Sequence, residues 1–184
     1  MKQFEEASTY FQQGLVRSQD LGFQEPLHHI YSGLAMVTIE LNDLVTAKAY
    51  ALNALKLAKE SGERTIEVEA LRSLAKLERR RQDTAEATDL LYQAANLARQ
   101  VRALPYLQDV LVDLAAHYFQ TEQDVLATKL LHTVINHSAS SQTAKEEAQD
   151  LLKSHGVPEL QESDINLESL MQIVLADNNL MYHN

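Results

Sequence analysis

A forty-residue repeat constrains the fold of this chain more than any other feature of its sequence. Apolar and small residues of the stretch 71–98 recur forty positions earlier and forty positions later. Two sets of matching positions, here called columns, stand out. The first column is the leucine of a Leu-Ala pair, at Leu34, Leu74 and Leu114, and the second is a single alanine, at Ala7, Ala47, Ala87 and Ala127. Repeats of roughly 20–50 residues are typical of stacked arrays, in which neighbouring repeats supply the core that one repeat cannot form alone.

Each repeat is predicted to be helical. The chain has only 5 Gly and 3 Pro, apolar residues recur with helical spacing, and no segment alternates over the length of a strand. The pattern predicts about nine helices, at 4–21, 26–41, 44–61, 64–81, 84–101, 105–120, 123–137, 143–154 and 167–176. Asp43 and Asp83 are predicted N-caps, and Glu86 completes a capping-box pattern with Asp83.

The columns also predict how the helices pack. Four residues after each alanine of the second column stand Phe11, Ala51, Leu91 and Leu131, and three residues further stand Gly14, Ala54, Ala94 and Val134. Spacings of four and three keep these residues on one helical face. The small residues let a neighbouring helix approach closely, and the leucines of the first column fill the remaining space.

These columns resemble the tetratricopeptide repeat. The stretch LAKLERRRQDTAEATDLLYQA carries its Leu-Ala, Ala and aromatic or aliphatic positions, and Tyr118 falls where the family prefers Tyr. The early Trp and late Pro of the family are missing, and the period is 40 rather than 34. The resemblance implies an all-α, right-handed solenoid of antiparallel helix pairs. Its predicted segments are a half repeat at 1–22, repeats at 23–62, 63–102 and 103–140, and closing helices at 141–184.

Repeats of this length resemble those of C-terminal sensor arms in bacterial signal-transduction ATPases and in transcription activators of the maltose-activator type. The first helix matches the second helix of a repeat, and its partner helix has no counterpart in the chain. Two interpretations are open: the chain is cut from a longer solenoid, or this surface meets a partner and supports a homo-oligomer. In both, Phe4, Phe11 and Leu15 are expected to be partly bare.

Composition and motifs argue against several classes of function. There is no Cys for a thiolate site or a nucleophile, and the formal net charge of −10 disfavours direct nucleic-acid binding. No apolar run suggests a membrane span, and the acidic start of the chain is unlike a secretory signal, so a cytoplasmic protein is expected. The seven His and the carboxylates near position 147 show no metal-ligand spacing. We therefore expect no enzyme activity, metal or cofactor.

One basic stripe stands out against the acidic background. Arg72, Lys76, Arg79 and Arg80 share a helical face through their spacing. The resemblance implies that five positions of each first helix line a concave groove: His29, Ser32, Met36, Ile39 and Glu40; Glu69, Arg72, Lys76, Arg79 and Arg80; Asp109, Val112, Ala116, Phe119 and Gln120.

The expected ligand of this groove is a protein or an acidic peptide with apolar anchors, and the predicted contacts are His29, Met36, Arg72, Lys76, Arg79, Arg80 and Phe119. Three alternatives are open. The cations could merely pair with Glu69 or Asp109. The chain could be the small-molecule sensor of a transcription regulator, with Phe119, Tyr31 and Tyr118 as stacking surfaces. It could also be an oligomerisation arm.

Overall fold

The computed structural model describes residues 2–23 and 26–157, and within them the chain is all-α. These residues form eight helices: α1 (Lys2–Asp20), α2 (Leu27–Glu40), α3 (Leu44–Ser61), α4 (Arg64–Arg80), α5 (Thr84–Gln100), α6 (Leu104–Gln120), α7 (Asp124–Asn136) and α8 (Gln142–Ser154). The predicted helices up to position 154 are confirmed, with ends within two residues of those expected. The ninth, at 167–176, lies outside the described residues.

Side-chain caps begin several of these helices. The Asp43 carboxylate accepts a hydrogen bond from the Thr46 amide at 3.1 Å, and Asp83 accepts one from Glu86 at 3.2 Å, which confirms both predicted N-caps. The predicted capping box is only half made, because the Asp83 amide donates to the Glu78 carbonyl instead of to a Glu86 side chain. Ser141, which lies between the predicted helices 123–137 and 143–154, caps α8 by accepting a hydrogen bond from the Ala144 amide at 3.0 Å.

Six helix ends share one turn geometry at intervals of 20 residues. A residue in the left-handed conformation, with φ between 55° and 76°, stands at each end: Gly22, Asn42, Gly62, Gln82, Arg102 and Glu122. The amide after it donates to the carbonyl five residues back, at 2.8–3.1 Å. This is the Schellman arrangement, which satisfies carbonyls that the ending helix leaves open. The local backbone therefore repeats every 20 residues, twice per sequence repeat.

The chain divides into two compact units, Met1–Leu97 and Ala98–Asn184. In the first unit α2 packs against α1, α3 and α4, and α3 also packs against α4. Four positions of the predicted columns lie in its core, because Leu34, Leu74, Ala47 and Ala87 are at most 4% exposed, whereas Ala7 of α1 is half-buried. Because α3 buries only alanines, at positions 47, 51, 54 and 58, its neighbours can approach its backbone closely.

In the second unit α6, α7 and α8 pack against one another. Leu114, Ala127, Leu131 and Val134, which continue the columns of the first unit, are completely buried. Ala144, Ala148 and Leu152 form the buried side of α8 and do not continue the forty-residue columns. The repeat therefore ends in register at α7, and α8 closes this unit with its own spacing.

The first helix is the least buried part of the first unit. Only Ser18 is buried in α1, and Phe4 is 40% exposed, which confirms the prediction that this helix is left partly bare. Phe11 and Leu15 are half-buried, and the Phe11 ring lies over Gly33 of α2. Within residues 2–23 and 26–157, no helix is long and apolar enough to cross a membrane.

Candidate ligand-binding face on helices α2 and α4

The predicted contact residues of the first unit lie on two helices that pack against each other. His29 and Met36 belong to α2, and the four cations of the basic stripe belong to α4. We use the name α2–α4 face for the surface that these residues form with the polar residues beside them: His29, Ser32, Met36, Glu40, Glu69, Arg72, Lys76, Arg79 and Arg80. The contact residues predicted in this unit therefore lie on two helices that are in direct contact.

Polar contacts tie α2 to α4 at both ends of this face. At one end the Ser32 hydroxyl donates to the Glu69 carboxylate at 3.1 Å. At the other end Glu40 receives the Lys76 ammonium at 2.5 Å and the Arg80 guanidinium at 3.3 Å. Arg80 also donates to the carbonyl of Ile39. These contacts fix the register of the two helices and hold two cations of the stripe in place.

The charge of Glu40 is stabilised by its two partners. Partial burial acts to raise the pKa of Glu40, but the hydrogen bond and charge of Lys76, together with Arg80, outweigh burial and lower it. The carboxylate is therefore ionised at neutral pH and neutralises part of the stripe. Even so, the α2–α4 face holds four Lys and Arg against two Glu, in a chain whose net charge is −10.

Met36 supplies an apolar centre between the two polar ties. It lies four residues from Ser32 and four from Glu40, so all three share one side of α2. Its side chain is 57% exposed, whereas Leu34, Ala35, Val37 and Ile39 around it are buried. An exposed Met among buried neighbours offers a flexible and polarisable apolar contact. His29, seven residues earlier on the same side, is also exposed.

The cations of the stripe differ in exposure. The side chains of Lys76 and Arg80 are 40% and 32% exposed, so each keeps solvent access beside Glu40. Arg72 and Arg79 are half-buried on the same side of α4. The sequence analysis named Glu69 and Asp109 as possible partners of these cations and did not name Glu40. Glu40 and Arg80 nevertheless stand one repeat apart in the sequence.

Three residues that were predicted to line the groove are buried and are not part of an exposed surface. Ile39 and Val112 are buried, at 0% and 4% exposure, because each points into the core of its own unit. Phe119 is 9% exposed, and the ring of His155 stacks on it at 3.9 Å with an angle of 8°. Phe119 is therefore covered by His155 in this structure, and its expected role as an apolar anchor stays a prediction. The sequence could not show this, since α8 lies outside the repeat.

Aromatic surfaces for a sugar-like ligand are also limited. Tyr118 is 3% exposed, and Tyr31 is half-buried against Tyr50, with ring centres 6.0 Å apart. In the part of the chain that the structure describes, no group of three or more His, Asp or Glu could hold a metal ion. His28 is buried, and its ring lies 4.4 Å from that of the exposed His29.

Comparison with protein-family profiles, with curated proteins and with solved structures gave no match to this chain.

Proposed function

We propose that this chain is a non-enzymatic helical-repeat scaffold that binds an acidic peptide or protein segment on the α2–α4 face. The observation that carries the proposal is the exposed Met36 on a helix packed directly against a row of four cations. An acidic segment with one apolar side chain matches both features, because carboxylates pair with Lys and Arg while an apolar side chain covers the thioether.

The ion pairs at Glu40 leave room for such a ligand. An ammonium has three donors, and Glu40 accepts one from Lys76. Lys76 can therefore bridge Glu40 and a ligand carboxylate without giving up its contact with α2. Glu40 itself repels a ligand carboxylate that comes too close, which favours binding nearer to Arg72 than to the end of α2. Preformed ties between the helices also reduce the ordering cost of binding.

The proposal includes the larger arrangement that the resemblance implies. In it, the helices form antiparallel pairs of a right-handed solenoid, and the first helices line its concave side. The chain then serves as the recognition arm of a bacterial signalling protein. Support comes from the packing of α2 directly against α4, since helices one repeat apart are neighbours in such an array, and from the identical turns every 20 residues.

Binding can be tested with short synthetic peptides that place one Leu or Phe among Asp and Glu residues. Fluorescence anisotropy would measure their affinity for the full chain and for two variants, Met36→Ala and Arg72→Ala combined with Arg79→Ala. If each groove charge contributes about 1–3 kcal/mol when desolvated, the double variant should lose at least about tenfold in affinity. Met36→Ala should weaken the peptides with an apolar residue and leave all-acidic peptides nearly unaffected.

The matched control is Lys56→Ala combined with Lys59→Ala, which removes two exposed cations from α3. This variant changes the net charge as much as the double Arg variant does, and it should bind like the wild type. Equal losses in the two double variants would show that only overall charge matters, and the α2–α4 face would not be the binding site. Melting curves of all variants show whether each is folded.

A further inference from the structure

The outer side of α1 carries a row of exposed residues that is distinct from the α2–α4 face. Its members follow one another at helical spacing and are all exposed; we call them the α1 stripe: Lys2, Glu6, Tyr10, Gln13, Arg17 and Asp20. The stripe lies to one side of the residues that contact α2, such as Phe11 and Gly14. Tyr10 at its centre is 74% exposed.

The charges of the stripe are antisymmetric about its centre, so each charge is opposite in sign to the one at the mirror-image position. A cation and then an anion stand in the first half, as Lys2 and Glu6, and a cation and then an anion stand in the second half, as Arg17 and Asp20. Among the described residues, no ion pair occupies any of these four side chains. Thr9, Gln13 and Arg17 also line a shallow concave surface along this side of α1.

We infer that a second copy of this chain covers the α1 stripe, with the two α1 helices antiparallel about a two-fold axis. Positions opposite each other in such a pair have numbers with a constant sum. Glu6 then faces Arg17 of the other copy and Tyr10 faces Gln13, both with a sum of 23. Lys2 faces Asp20 with a sum of 22, an offset of about 1.5 Å along the helix, which a lysine side chain spans. Each contact occurs twice because the interface is isologous.

An in-register parallel arrangement of two copies does not match these charges. A parallel pair of α1 helices would set Glu6 against Glu6 and Arg17 against Arg17, and like charges repel. The antiparallel pair instead gives four opposite-charge contacts and two Tyr-Gln contacts across the axis. The charges of the stripe are therefore complementary to those of the same stripe on a second copy, and we take a second copy as the occupant.

The dimer is expected to be weak. A helix of 19 residues is about 28 Å long, and a single pair of such helices buries less than the roughly 1,200 Å² of a standard stable interface. Association should therefore appear at protein concentrations on the order of 100 µM. In sedimentation velocity, the apparent mass of the wild type should rise from 20.7 kDa toward twice that value as concentration increases.

Charge reversal tests the pairing itself. Glu6→Arg leaves one copy positive at both positions, and Arg17→Glu leaves one copy negative at both, so each variant alone should lose dimerisation. A mixture of the two variants should form a heterodimer, because every contact at these positions is again between opposite charges. The double variant Glu6→Arg/Arg17→Glu should dimerise like the wild type. Glu60→Arg, which reverses an exposed charge on α3, is the control and should have no effect.

Several outcomes would overturn the inference. One is a wild type that remains a monomer at about 500 µM, well above the range expected for a weak interface. Another is a dimer that both single reversals leave intact. A third is failure of the mixed variants to associate. The result is independent of peptide binding, because Arg72→Ala with Arg79→Ala should dimerise like the wild type.

Discussion

At the scale of single residues, Gly33 shows how closely α1 and α2 pack. A Cβ atom placed on Gly33 would lie 2.4 Å from Cζ of Phe11, far inside van der Waals contact. A Cβ on Gly14, in contrast, would meet Ile30 at an ordinary distance of 3.6 Å. The two glycines lie in neighbouring helices of one interface, yet only one of them is required by its surroundings.

Gly33→Ala is therefore expected to destabilise the protein although alanine favours helix. The overpacking cost of about 1–3 kcal/mol exceeds the gain in helix propensity, which is at most about 1 kcal/mol. Gly14→Ala should do the opposite and stabilise by about 0.5–1 kcal/mol. Urea unfolding measures both. If Gly33→Ala remained destabilising after Phe11→Ala had removed the ring, the contact with Phe11 would not be the cause.

Glu40 makes a second prediction at this scale, and it concerns pH. Its pKa is lowered in the folded chain because Lys76 and Arg80 outweigh the effect of burial. A lowered pKa contributes stability that is present above the unfolded pKa, at about 4.3, and is lost as pH falls through the folded value. Glu40→Gln should therefore cost about 0.5–1 kcal/mol at pH 7 and progressively less in acid.

The measurement is the urea midpoint of wild type and variant between neutral pH and pH values below the unfolded pKa. The two curves should converge as pH falls. Glu60→Gln serves as the control, because its pair with Lys56 is exposed and 3.9 Å long, and it should change the midpoint little at any pH. A constant gap between wild type and Glu40→Gln over the whole range would contradict an origin in the charge of Glu40.

At the scale of the helices, the turns share one backbone geometry although their residue types differ. The six helix ends that repeat every 20 residues each require a left-handed residue, yet only two of these positions are Gly and one is Asn. Asn tolerates this conformation, whereas Gln82, Arg102 and Glu122 adopt it at a steric cost.

Replacing Gln82 with Gly should therefore raise stability. Relief of the left-handed strain stabilises the folded state by more than the extra conformational entropy of Gly costs on folding. The expected net gain in the free energy of unfolding is about 0.5–1 kcal/mol. Asn42→Gly is the matched comparison at the equivalent turn one repeat earlier and should gain less. Thermal and urea unfolding measure both. A loss of stability in Gln82→Gly would mean that the Gln82 side chain itself stabilises the turn.

The same elements show what the sequence can and cannot predict. Helix ends were predictable because Asp43, Asp83, Gly22 and Gly62 carry local signals, and core positions were predictable because they repeat. The left-handed Arg102 and Glu122 carry no compositional signal; only the 20-residue spacing of Gly22, Asn42 and Gly62 would have indicated them. The stacking of His155 on Phe119 could not be predicted, because α8 departs from the repeat that guides all other alignments.

For the α2–α4 face, the positions of the residues could be predicted from the sequence, but the pairing of their charges could not. Its residues follow from helical spacing and from the repeat, which also places Glu40 exactly one period before Arg80 in the chain. What the sequence did not show is that Glu40 takes up part of the positive charge, since this depends on the length and direction of three side chains. Because Glu40 pairs with Lys76 and Arg80, the face is less positive than its four cations alone suggest, and their role in binding stays a prediction.

At the scale of the whole molecule, burial is graded among the helices of the first unit. Ten residues of α4 are buried, whereas α1 buries only Ser18. Among the described helices α1 packs against α2, while α4 packs against both α2 and α3. Few buried contacts mean a low free energy of local opening, so α1 is expected to open before the rest of the unit unfolds.

Hydrogen exchange should report this gradient directly. If opening of α1 costs about 3 kcal/mol less than opening of α4, its amides should exchange about 100-fold faster under native conditions. Exchange measured by mass spectrometry in the Glu6→Arg variant gives the value for the single copy. In the wild type, the α1 stripe is covered at high concentration, so protection of α1 should increase with protein concentration while that of α4 stays constant. Equal protection of α1 and α4 in the variant would show that the first unit opens as one block, because burial would then fail to determine local stability.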